Sequence, residues 1–224
     1  MIISIDTSTD MCSAALHDAG TIVADISLQK GKSHAEMLNM MINNLLSEGK
    51  IEINQVSAIA ISSGPGSYTG LRIASSTAKG LCYALDIPLI AVPSLTIIAS
   101  QAILYGAAIY AMIDARRMEV YCQKFDNRLS EITEIRAKVL DVNEIYSELE
   151  HEKIVFCGNG SDKLRPLISH ANAIFAKDVH PSATHMGTLA YTKFQKNEFE
   201  DVYTFEPYYL KNFVAAFPKN VLNK

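Results

Sequence analysis

Apolar and polar positions alternate in blocks that repeat along the chain. Ile2 to Asp6, Cys12 to His17 and Thr21 to Leu28 read as three strands, with Asp18-Ala19-Gly20 supplying turn chemistry before the third. Met37, Leu38, Met41, Ile42, Leu45 and Leu46 then recur at helical spacing up to Gly49, where a C-terminal glycine is expected. Val56 to Ser62 follows as a buried strand, Gly70 to Leu85 as a helix, Pro88 to Val92 as a strand, and Leu95 to Leu104 as a helix after the Pro93-Ser94 start. The order is βββαβαβα. It returns with strands at Ala107–Ile113, Met118–Phe125 and Ile132–Val139, and a helix capped by Asp141 with Glu144 completing a capping box. Strand Lys153–Cys157, the turn Gly158-Asn159-Gly160, a helix through Leu164–Ile168, strand Ala173–Ala176 and a helix after Pro181 finish the unit. The pattern predicts tandem domains over 1–104 and 105–200, with a tail over 201–224 that packs back and frays from Lys219 to Lys224.

Composition narrows the function. The 224 residues carry a net charge of −4, too acidic for this chain to hold tRNA or duplex by itself, and the densest basic points are Lys30-Gly31-Lys32 and Arg116-Arg117. Cys12, Cys82, Cys122 and Cys157 are far apart, as expected of free thiols in a reducing cytoplasm. No basic leader precedes Asp6 and no apolar run reaches membrane-spanning length, so the expected location is cytoplasmic, without membrane contact.

The densest backbone signal is Ser63-Gly64-Pro65-Gly66-Ser67-Tyr68-Thr69-Gly70-Leu71-Arg72, between an apolar strand and a helix. Lysine is missing where a Walker loop needs it, and Thr69 stands where a dinucleotide fingerprint needs glycine. Ser67 directly follows Gly66, so the nucleophile-elbow spacing also fails. A tight strand-to-helix connection and a surface for a ligand or packed partner both remain open.

Together with Ile5-Asp6-Thr7-Ser8-Thr9, this turn resembles the TsaB (YeaZ) family of bacterial tRNA threonylcarbamoyladenosine synthesis. Further matches are His34-Ala35-Glu36, Ala78-Lys79-Gly80-Leu81, Pro93-Ser94-Leu95, Asp114-Ala115-Arg116-Arg117-Met118-Glu119-Val120-Tyr121 and Glu206-Pro207-Tyr208-Tyr209-Leu210. Tyr68, Ala35 and Met118 depart from the more familiar Phe, Ser and Gly. The resemblance implies an α/β fold of two ribonuclease H-like, actin-like ATPase (ASKHA) domains. It also implies a non-catalytic subunit that forms a heterodimer with TsaD, joins TsaE in a larger complex, self-associates when alone and meets tRNA only through the complex. Two helices would form that interface, with His34, Met37, Met40, Met41, Gly70, Ala74, Ser75 and Ala78 as its residues.

Other chemistry stays open beside this expectation. Asp6, Thr7, Ser8 and Thr9 form an acidic turn of the kind that holds phosphates in actin-like ATPases, or a hairpin turn satisfied by its own hydrogen bonds. Gly158-Asn159-Gly160 stands where those ATPases hold adenosine, or is an ordinary strand-to-helix turn; the second-half turn Asp114-Ala115-Arg116-Arg117 lacks phosphate-loop glycines, and its arginines could still bind an anion, with pairing of Asp114 to one of them the simpler expectation. No cofactor is therefore required, with ATP or ADP at the Asp6 turn as the alternative. The six histidines show no zinc-binding spacing. A stand-alone ATPase or kinase, and a glycoprotease-like metalloprotein, are the rival readings.

Overall fold

The computed structural model describes residues 1–29 and 34–210, with the His34 side chain outside the described residues. Lys30, Lys32 and the end of the tail, including Lys219 to Lys224, also lie outside them. The first half runs β1 (Ile2–Asp6), β2 (Met11–Asp18), β3 (Thr21–Gln29), α1 (His34–Gly49), β4 (Ala58–Ser62), α2 (Tyr68–Leu85), β5 (Leu89–Val92) and α3 (Ser94–Ser100). The second runs β6 (Ala108–Asp114), β7 (Glu119–Phe125), β8 (Arg136–Val139), α4 (Val142–Leu149), β9 (Ile154–Cys157), β10 (Ala173–Phe175) and α5 (Gly187–Gln195).

Each half builds one five-stranded sheet, in the orders β3-β2-β1-β4-β5 and β8-β7-β6-β9-β10. In both, the first three strands pair antiparallel and the others join parallel to the central first strand. This is the ribonuclease H-like, actin-like architecture the repeat predicts. β1 and β4 are buried along their whole length, as parallel central strands covered on both faces must be.

The helices do not respect the sequence boundary. One face of the first sheet packs Ile3, Ile5, Ile59 and Ile61 against α1 and α2. The other packs Ile2, Ala58, Ala60, Ile90 and Val92 against Met186 and Ala190, so the covering helix is α5, from the end of the second half. Conversely, α3 of the first half lays Leu95, Ile98 and Ala99 on the second sheet with Ile109 and Phe125.

Three local expectations are corrected. Leu164–Ile168 is not a helix, because Pro166 has no N–H to donate; a 3-10 turn over Asn159–Lys163 and irregular turns take its place. The third strand of the second half is shorter than Ile132–Val139, because the Ile132 and Thr133 amides both turn onto the Lys124 carbonyl. Asp141 does cap α4 through the Asn143 amide, but Glu144 pairs with Lys138 at 2.5 Å instead of reaching back to the cap. The four cysteines are buried and free, and burial pushes Cys12 up to about 11 and Cys157 to about 12.

Candidate functional site

The glycine-rich turn and the acidic turn of the first half are two sides of one contact. Thr7 Oγ1 donates to the Gly70 carbonyl at 2.7 Å, and the Ser67 amide donates to the Ser8 carbonyl at 2.7 Å. A Cβ on Gly70 would stand 1.8 Å from the Thr7 oxygen, and one on Gly66 2.4 Å from the Ser8 oxygen. Both glycines are needed because two backbones touch. Ser67 caps α2 by accepting from the Gly70 amide.

Asp6, Thr7 and Ser8 are buried by this contact, and Thr9 is half-buried. The Asp6 carboxylate accepts from the Ser8 amide at 3.1 Å and from the Ser8 hydroxyl. Ser62 Oγ faces the same carboxylate from β4 without reaching hydrogen-bond geometry. Burial raises the Asp6 pKa above its ordinary value, against the pull of the Ser62 and Ser8 groups. The Asp6 carboxylate is thus sealed from solvent, and the Ser8 amide already donates to it.

The second half repeats the construction. Gly158, at φ +86°, would place a Cβ 2.1 Å from the Met112 carbonyl, and one on Gly160 would meet the Met112 Cβ at 2.9 Å. The Asn159 side chain accepts from the Asp114 amide at 2.9 Å. Thr9 and Asp10 then meet Gly158 and Asn159 across a cleft of about 510 Å³ that Arg165, Lys177 and His180 also line. The two turns are far apart in sequence, and the structure gives them a common cleft.

Asp114 corrects another expectation. Its Oδ1 takes Lys163 Nζ at 2.5 Å and the Arg116 amide at 2.6 Å, so neither arginine side chain is its partner. Among the described residues no group of three His, Cys, Asp or Glu side chains could hold a metal ion, and no helix is long and apolar enough to cross a membrane.

The helical face needs the largest correction. Ala74 and Ala78 are fully buried, Ser75 and Gly70 are buried, and Met41 lies in the first core with its sulfur 3.7 Å from Cys12 Sγ. The small-residue stripe of α2 brings that helix close to its own sheet and does not face outward. Met37 is half-buried against the same core and Met40 is exposed at 48%. The outward surface is a groove of about 580 Å³ between α1 and α2, lined by Ala35, Tyr68, Thr69, Arg72, Ile73, Ser76 and Thr77. Lys79, which the sequence marks only as part of a matching motif, donates its ammonium to the Tyr203 and Phe205 carbonyls, 3.1 Å each, and so ties the tail to α2. Tyr209 packs its ring 4.7 Å from Tyr68 at the groove's end.

The family model described as "TsaD: tRNA N6-adenosine threonylcarbamoyltransferase" matches residues 21–219. The chain is similar to the tRNA threonylcarbamoyladenosine biosynthesis protein TsaB of Escherichia coli, 32% identical with 96% of each chain covered. It is likewise similar to that of Haemophilus influenzae, 29% identical with 96% of this chain and 94% of the other covered. YeaZ from Pseudomonas aeruginosa superposes with a TM-score of 0.79 at 28% identity, over 93% of this chain and 99% of its own. With the ordered motifs, the paired sheets and the glycine-clamped first turn, the chain belongs to the TsaB (YeaZ) family of tRNA threonylcarbamoyladenosine biosynthesis proteins.

Proposed function

We propose that the chain is a non-catalytic subunit that docks on TsaD through the α1–α2 face. In that role it supports transfer of the threonylcarbamoyl group to the adenosine following the anticodon, with TsaE joining the larger assembly. The observation that carries this reading is the open groove between α1 and α2, lined by Ile73 and the small residues Ala35, Ser76 and Thr77, on a face of the molecule where α1 also exposes Met40. Small side chains beside Ile73 at a concave site suit another helix better than a small polar ligand. The same face would serve self-association when TsaD is missing. No nucleotide is needed for the role, in keeping with the sealed Asp6 carboxylate.

Thr77→Arg and Met40→Glu place charge on this surface without entering the core. Both variants are expected to keep the parent melting temperature and to lose co-purification with TsaD and modification of tRNA in the reconstituted system. Unimpaired association would put the interface elsewhere. ATP turnover by the chain alone, abolished by Asp6→Ala, would favour the ATPase reading.

A further inference from the structure

The hairpin tip between β6 and β7 holds Arg116 and Arg117 at φ +71° and +52°, a backbone region that non-glycine residues seldom occupy. The tip is tied down at several points. The Ala115 amide donates to the Glu119 carbonyl, the Glu119 amide to the Arg116 carbonyl, and the Leu140 amide to the Met118 carbonyl. Asp114 closes onto the Arg116 amide, and Lys163 bridges Asp114 to the Glu119 carbonyl. With Asp114 committed to Lys163, both arginines are exposed, and among the described residues no hydrogen bond, ion pair or ring contact reaches either guanidinium.

We propose that this tip is a phosphate contact for the RNA backbone, used when the chain sits in its complex; the proposal rests on the functional reading above. The turn fixes the backbone from which the two adjacent guanidinium groups project, and each can grip a phosphate with a pair of hydrogen bonds. A chain of net charge −4 gains no general attraction for RNA, so a local pair of unneutralised arginines is where such contact would be made. Backbone contacts of this kind set orientation and carry no sequence preference.

The test uses the chain reconstituted with TsaD of the same organism and unmodified tRNA transcripts of two unrelated sequences. Arg116→Asn combined with Arg117→Asn removes both charges with a residue that tolerates left-handed backbone, and the paired glycine variant does so with no side chain at all. Either is expected to weaken binding of both transcripts about tenfold at low salt and to lower the slope of log affinity against log salt by about 2. Melting temperature should not fall below the parent level, and TsaD co-purification should be retained. A salt slope unchanged in the TsaD-bound complex overturns the arginine proposal alone, and so does lost TsaD co-purification, which would make the tip a protein contact. Failure of the parent chain to bind TsaD overturns the functional reading instead.

Discussion

Gly70 and Gly80 lie on the same helix and should answer alanine in opposite directions. A Cβ on Gly80 meets nothing within 4 Å, so Gly80→Ala should stabilise by about 0.5–1 kcal/mol through helix propensity alone. A Cβ on Gly70 stands 1.8 Å from the Thr7 carbonyl, which belongs to backbone and cannot swing away. The same propensity gain is outweighed there, and Gly70→Ala should destabilise by about 1–3 kcal/mol. Urea unfolding of the two variants beside the parent reads both signs. Ala78 gives the complementary case, because it is fully buried beneath α2. Ala78→Arg should cost several kcal/mol and leave little folded protein, since a buried unpaired charge is among the most damaging changes. A folded Ala78→Arg protein at the parent melting temperature would contradict the inward orientation of the α2 stripe. None of this can be read from residues 66–78 alone. The Thr7–Gly70 contact joins positions 63 apart, and the alternation that marks a buried helix face looks the same whether the cover is the chain's own sheet or a partner.

At the scale of elements, α5 and the turn before it rest on the first sheet over a buried histidine. His17 pairs Nδ1 with Ser4 Oγ at 3.2 Å and Nε2 with the Thr184 carbonyl at 3.4 Å. Burial holds its pKa below the ordinary 6.5, partly offset by the Thr184 carbonyl and by Asp25, and His185 on the same turn is also lowered by burial, with His180 and Asp25 nearby. The unfolded chain therefore takes up this proton more readily than the folded one, and stability is lost as pH falls below 6.5. Asp6 works in the opposite sense, because its raised value makes the folded state the better proton acceptor as pH falls. The melting temperature should drop between pH 7.5 and 5, and His17→Gln should flatten that drop; an identical profile in the variant would remove His17 as the cause. The elements themselves were largely legible. Strand and helix positions follow the apolar periodicity closely, and both sheets have the predicted make-up. The misreadings occur where one residue overrides a pattern: Pro166 within an apolar run, and Glu144, whose carboxylate finds Lys138 before the helix start.

At the scale of the molecule, the repeat in sequence suggests two modules, and the packing joins them. α3 leaves the first half to cover the second sheet, while α5 comes from the second half to cover the first. Fragments 1–104 and 105–210 should each lack a cover for one sheet face. Each is expected to show weak protection from hydrogen exchange and no cooperative melt when made alone, and the whole chain to melt in a single transition. A cooperative melt of 1–104 by itself would show the exchange to be dispensable. The crossing has a further consequence for the order of events at the ribosome. A chain emerging from its N-terminus presents Ile2, Ala58, Ala60, Ile90 and Val92 long before Met186 and Ala190 exist to cover them. At ordinary elongation rates that interval is on the order of 5–20 s. The nascent first half must spend those seconds with an apolar sheet face bare, and is then the stage at which the chain would depend most on chaperones.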